Sequence, residues 1–165
     1  MIERLPISAN QRVISVFTFW QKEGYLDLNP PYQRGDVWGI ERRRNLIKSL
    51  LLGVPIPSVV INDRFSSNFN SENDNVGQSI VVIDGKQRIT TFLMFLNGEL
   101  SIPREWVENS KLKDSINFCD IPKNIQSHIK CIPIGVCEAS LKTLDQEKEV
   151  FDLINYGGVE QGKSD

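Results

Sequence analysis

Histidine is the scarcest versatile side chain in this sequence: His128 is the only one among 165 residues. That excludes a paired-histidine phosphoesterase, an HNH nuclease centre and a histidine-rich metal site. Cysteine is nearly as sparse. Cys119, Cys131 and Cys137 are odd in number and lack C-x-x-C spacing, so neither a disulfide scaffold nor a zinc cluster follows. Three buried thiols in a reducing compartment are expected. No apolar run approaches the roughly 18 residues of a membrane span, and the start Met1-Ile2-Glu3-Arg4-Leu5-Pro6 has no apolar signal core, so a cytoplasmic, membrane-free protein is expected. An excess of one charge is missing too. Lys and Arg number 19 against 21 Asp and Glu, a net charge of −2, so no global positive field holds nucleic acid independently of its sequence. Any polyanion site must be local, and residues 1–50, with eight basic against five acidic side chains, form the positive end.

What is present is an ordinary globular composition, 40% hydrophobic and 24% charged, at a length that suits one compact domain with its own core. We take residues 1–160 as that domain, with a polar insertion at 62–78 and a frayed tail at 161–165. Ser8 and Gln11 are spaced as a capping pair, and Val13, Ile14, Phe17 and Trp20 recur at helical spacing, which predicts a helix over 9–22 that stops at Gly24. Tyr25–Leu28 alternates like a short strand and runs into Pro30 and Pro31, after which 32–39 is a loop. Leu46, Ile47, Leu50 and Leu51 predict a helix from Ile40 to Leu52 ending at Gly53. Strands are expected at 58–61 and 79–83, and a helix with Ile89, Phe92, Leu93 and Leu96 on one face follows the turn at Asp84-Gly85. Residues 99–120 read as irregular, with Trp106 and Phe118 in a satellite core. Pro122 opens a short helix through His128, and Lys130–Glu138, broken by Pro133 and Gly135, reads as an edge or bulged strand. Thr143 and Gln146 form another capping pair that opens a last helix ending at Asn155-Tyr156-Gly157-Gly158.

Three stretches can carry chemistry. Asp84 and Gln87 fit a capping box with no further role, yet Lys86 and Arg88 in the same first turn oppose the helix dipole. A helix N-terminus fed by a strand, with Gly85 permitting close approach and two cations beside it, suits a phosphate instead. Asp84 then belongs on a bridging divalent ion, a water or a ribose hydroxyl. The second stretch, Pro31-Tyr32-Gln33-Arg34-Gly35-Asp36-x-Trp38, reads either as a structural loop with Arg34 paired to Asp36, or as a recognition loop. In the second reading Arg34 grips phosphate and Tyr32 or Trp38 offers a stacking face. Arg42, Arg43 and Arg44 follow at a helix start, as a solvated face or with one or two of them turned to an anion. Third, Asn155-Tyr156-Gly157-Gly158 is either a left-handed helix end or part of the same site.

Pro31-Tyr32-Gln33-Arg34 with Trp38, then Leu46–Leu50 with Gly53-Val54-Pro55-Ile56-Pro57, then Val82–Thr91 with its Asp84-Gly85-Lys86-Gln87-Arg88 turn, and finally Phe151-x-x-Ile154-Asn155-x-Gly157-Gly158, resemble in order the N-terminal domain of GmrSD-type restriction proteins. That domain is a member of the ParB/sulfiredoxin-like superfamily, and the resemblance covers roughly residues 8–160. It implies a compact α+β fold, a small mixed sheet flanked by helices, that binds and hydrolyses nucleoside triphosphates with Mg²⁺ and couples this to a separate nuclease or defence-system protein. On this resemblance Arg34 and Arg88 hold phosphates, Gln33 and Gln87 orient phosphate or water, and Asp84 takes the metal or the attacking water. Tyr32, Trp38, Arg43, Gly85 and Lys86 complete the nucleotide site, and Asn155, Gly157 and Gly158 close it. Two departures stand out. Lys86 replaces a glutamine of the family string, and Leu153 stands where arginine is usual, which puts hydrolysis or the choice of nucleotide in doubt. The HNH portion common in the family is not expected here. A DNA-binding or DNA-nicking module, disfavoured by the net charge, and a catalytically silent interaction protein are the alternatives; an oligomer is compatible with each.

Overall fold

The computed structural model describes residues 2, 4–33, 35, 37–66, 69, 79–108 and 114–156. Its frame is a mixed sheet of five strands in the order β1-β7-β3-β4-β2, built from β1 (Ile7–Val13), β2 (Leu26–Asp27), β3 (Val59–Asp63), β4 (Ile80–Asp84) and β7 (Pro133–Ala139). A separate two-residue pairing joins β5 (Ile102–Pro103) to β6 (Ser115–Ile116). Five α-helices accompany them among the described residues: α1 (Ser15–Lys22), α2 (Ile40–Leu51), α3 (Lys86–Leu96), α4 (Lys123–Lys130) and α5 (Leu144–Tyr156). The expected α+β class, a small mixed sheet flanked by helices, is what the chain adopts.

The apolar run Ile80–Ile83 is buried throughout, as a strand covered on both faces must be. Ile80 and Val82 face the larger core, where Phe17 of α1, Ile47 and Leu50 of α2 and Ile89, Phe92 and Phe95 of α3 meet. Ile83 faces the opposite side, where Ala139, Leu141, Val150 and Phe151 form a smaller core under α5. Period-two alternation on one strand thus separates two helical layers. Phe118 and Trp106 pack into the larger core rather than a satellite of it, through the β5–β6 region expected to be irregular.

Three expectations need correction. The helix predicted over 9–22 begins only at Ser15, because Ser8–Arg12 has no apolar residue larger than Ala9 to give a helix a buried face, and its backbone pairs instead with β7 from Ile7↔Ala139 to Val13↔Pro133. That pairing makes β7 an interior strand rather than an edge. Pro133 is tolerated because it is the first residue of the strand. The thiols also differ: Cys119 and Cys131 are exposed and Cys137 half-buried, since the first two fall in a 3₁₀ turn and at the end of α4 rather than on an apolar face.

The polar insertion expected from Asn62 starts later, for β3 runs through Asn62 and Asp63, and Asn62 and Arg64 are buried; most of 67–78 lies outside the described residues. Both buried side chains serve Glu147 of α5, which is 0% exposed. Arg64 donates Nε to Oε1 at 2.8 Å and a terminal nitrogen to Oε2 at 2.6 Å, Asn62 Nδ2 donates to Oε1 at 2.8 Å, and the Tyr32 hydroxyl donates to Oε2 at 3.1 Å. Phe69 lies across the Arg64 guanidinium, 4.2 Å from ring centroid to Cζ. Burial, and then the neighbouring carboxylate, hold the Tyr32 hydroxyl well above its ordinary pKa, so it stays a donor.

Breaking one partner of a buried pair leaves the other charge uncompensated. Arg64→Met is expected to destabilise the fold by roughly 3–5 kcal/mol, measured by urea unfolding, whereas the Arg64→Met, Glu147→Leu double variant recovers most of that loss. A double variant no more stable than the single one would remove the carboxylate as the cause.

Candidate functional site

The turn between β4 and α3 forms one wall of a cleft of about 310 Å³. Gly85 sits there at φ +93°, the left-handed region that glycine alone enters without cost, and a Cβ added to it would lie 2.5 Å from Val59 Cγ1. Gly85 is therefore required twice, by its dihedral angle and by the strand packed behind it. As the N-cap residue of α3 it has no side chain to satisfy the first-turn N–H groups, and no side chain caps this helix among the described residues. The capping box suggested by Asp84 and Gln87 does not form. Asp84 accepts from Arg88 at 2.7 Å through Oδ2, one helical turn on, and Gln87 turns to the opposite wall.

That wall is the loop before α2. Gln87 Oε1 accepts the N–H groups of Val37 at 3.4 Å and Trp38 at 3.3 Å, and its Nε2 donates to the Gly35 carbonyl at 3.2 Å. Gln33 Nε2 donates to the Val82 and Ile83 carbonyls of β4 at 3.0 and 2.6 Å. Gln87 holds the loop by its backbone and Gln33 ties the loop to the backbone of β4, so both amide nitrogens are engaged within the chain. Trp38 stands at the rim, with the Arg42 guanidinium 4.3 Å from its ring centroid. The third side is α5, whose Phe151 and Asn155 line the cleft one turn apart, Asn155 Nδ2 bonding the Phe151 carbonyl at 2.8 Å.

The structure thus brings together Gln33, Trp38, Asp84, Gly85, Lys86, Gln87, Arg88 and Asn155. Tyr32 and Arg43 stand behind the cleft. Tyr32 packs on Phe151 and bonds Glu147, while Arg43, 3% exposed, donates to Thr91 Oγ1 at 2.8 Å and bridges α2 to α3. Arg44 bonds the Ser101 carbonyl and Glu41, so of the three successive arginines it is Arg42 that faces the cleft, the one the sequence pattern did not single out. Its signal was its spacing from Trp38, four residues earlier and just ahead of the helix start. Arg34, Gly157 and Gly158 lie outside the described residues. Leu153 is 60% exposed and lines no part of the cleft.

Charge and donors converge on the α3 end. Lys86 Nζ donates to Asn29 Oδ1 at 2.6 Å, Arg88 also reaches the Ser58 carbonyl at 3.2 Å, and Arg88 Nε is buried with no hydrogen-bond partner among the described residues. Three cations, Arg42, Lys86 and Arg88, face one carboxylate, Asp84, among the described lining residues. An uncapped helix start, an unsatisfied buried donor and a net positive lining are together complementary to an anion.

The family model described as GmrSD restriction endonuclease, N-terminal domain, matches residues 16–165. The chain belongs to that family. Its match takes in every side of the cleft and begins after β1. No curated protein matches the chain. No helix among the described residues is long and apolar enough to cross a membrane, and no cluster of three or more metal-ligating side chains occurs among them.

Gly85→Ala is expected to destabilise the GmrSD-type domain by roughly 2–5 kcal/mol, the sum of a left-handed non-glycine residue and a steric overlap with Val59. Thermal or urea unfolding measures it. Adding Val59→Ala in the same chain should relieve the overlap but not the backbone strain, so a Gly85→Ala variant as stable as the parent would refute the close approach.

Proposed function

We propose that this chain is a nucleotide-binding domain of the ParB/sulfiredoxin-like superfamily that hydrolyses nucleoside triphosphates with Mg²⁺, working in the cytoplasm in restriction, phage defence or its counteraction. The observation that carries the reading is the uncapped start of α3, opening into a cleft whose described lining has three cations against one carboxylate. A phosphate chain at that end accepts the first-turn N–H groups and meets Lys86 and Arg88. Trp38, with Arg42 above it, offers a planar face at the rim at which a base can stack.

The donor set fits Mg²⁺ held jointly with a ligand rather than by protein alone. Mg²⁺ takes one or two carboxylates, phosphate oxygens and water, and the described lining of the cleft supplies one carboxylate, Asp84, whose Oδ2 accepts from Arg88. When bound, the ion neutralises developing charge on the phosphates. The rest falls to the chain itself: Asp84 holds the ion or a water, Arg88 and Lys86 bind the phosphates, and Gln87 and Gln33 fix the loop that carries Trp38. In hydrolysis, water adds to the terminal phosphorus as its bond to the bridging oxygen breaks, and positioning with charge stabilisation supplies the rate. A separate nuclease or defence protein is the partner that would use this reaction.

Thermal-shift titration with ATP, GTP, CTP and UTP, with and without Mg²⁺, is expected to raise the melting temperature for at least one nucleotide. Arg88→Ala should weaken that binding roughly ten- to a hundredfold, the worth of one charge-assisted hydrogen bond. Asp84→Ala should abolish phosphate release and leave the melting temperature of the free protein little changed, because Gly85 and not Asp84 stands at the helix cap. Salt-dependent retention of DNA with no nucleotide shift would overturn the reading.

A further inference from the structure

Strand β1 is a long sheet edge that lacks the devices by which edges are normally protected. Its seven residues pair with β7 on one side, and no strand flanks the other side among the described residues. Six of the seven are exposed, so the strand contributes almost nothing to either core. Natural edges are blunted by proline, bulges or inward-pointing and excess charge. Here the register with β7 runs without a break over all seven residues, no proline interrupts Ile7–Val13, and the one charge, Arg12, is neutralised by Glu138 at 2.6 Å.

The hydrogen-bond parity of the edge is fixed. Ile14 N–H donates to the Ile132 carbonyl at 3.1 Å and Ser140 N–H to the Pro6 carbonyl at 3.0 Å, so even-numbered residues of β1 exchange bonds with β7. Antiparallel alternation then turns the backbone groups of Ile7, Ala9, Gln11 and Val13 outward. Ile7 N–H is satisfied locally by the Leu5 carbonyl, which leaves the donors of Ala9, Gln11 and Val13 for another strand.

We propose that β1 pairs antiparallel with β1 of a second copy of this chain, making one continuous sheet across a two-fold axis centred on Asn10. The sequence ISANQRV is self-complementary in that register. Ala9 faces the second copy's Gln11 and Ile7 its Val13, all outward-bonding positions, so both apolar ends meet an apolar residue. Ser8 faces Arg12 and Asn10 faces Asn10, so no like charges are opposed. The interface is isologous and closes on itself, which an edge-to-edge fibre would not. It also stands apart from the cleft and precedes the residues that the family model matches. The assembly therefore does not depend on what the cleft binds.

Sedimentation equilibrium of the full chain over a concentration series tests it. The expected result is a mass that moves from one chain toward two as concentration rises, with or without nucleotide. Gln11→Pro removes an outward donor and leaves every bond to β7, so it is expected to keep the chain monomeric at all concentrations while its melting temperature stays close to the parent's. Asn10→Cys places two thiols opposite each other at the axis, at a non-hydrogen-bonded position where the close Cα approach admits a disulfide. It is expected to give a covalent dimer with oxidised glutathione, above the background of the exposed Cys119 and Cys131 in the parent. A parent chain of single-chain mass up to its highest soluble concentration would overturn the proposal. So would a dimer that survives Gln11→Pro, or an Asn10→Cys chain cross-linked no more than the parent.

Discussion

The buried carboxylate of Glu147 is the point at which three otherwise separate parts of the chain are tied. Its oxygens receive Arg64 and Asn62 from the end of β3 and Tyr32 from the loop before α2, while its own helix supplies Phe151 and Asn155 to the cleft. A charge in so dry a place persists because every neighbour is a donor with its hydrogen directed at it. Two of the three sides of the cleft, the loop and α5, are positioned through this one group. The third side, the β4–α3 turn, is positioned by the backbone of Gly85 against Val59.

The same architecture assigns the glutamines of the site. Amides of this kind read in a sequence as ligand-binding groups, yet Gln33 bonds two carbonyls of β4 and Gln87 bonds the backbone of 35–38 on both its oxygen and its nitrogen. Pro30 and Pro31 at the start of the loop have no N–H to give a ladder, and side-chain amides tie its described residues to the rest of the fold. In the proposed function, the direct work on an anion falls to the cations and the helix start.

Elements with a strong apolar period were legible before the structure: α2, α3, α5, β3 and β4 lie where Leu46–Leu51, Ile89–Leu96, Val150–Ile154 and the two valine- and isoleucine-rich runs place them. The Thr143–Gln146 pair was legible as well, with Gln146 N–H on Thr143 Oγ1 at 3.2 Å and Gln146 Oε1 returning to the Lys142 N–H at 2.9 Å. What failed was local reading of segments whose state is decided from afar. Ser8–Arg12 has cap-like spacing but takes its conformation from β7, more than a hundred residues on, and Asn62 and Arg64 look like the start of a solvated loop until Glu147 is placed above them. The β4–α3 turn at Asp84–Arg88, contiguous in sequence, lies where the sequence places it. Choosing among Arg42, Arg43 and Arg44 required knowing which face α2 turns toward α3.

Helix α5 adds one more consequence, in the order of events during synthesis. It is the last described element, and Val150 and Phe151 complete the smaller core while Phe151 and Asn155 complete the cleft. The larger core draws on residues up to Val136 and can close without it. A growing chain therefore holds a packed sheet with an unfinished second face until α5 has emerged, and among the described elements the anion-complementary cleft is the last to be completed.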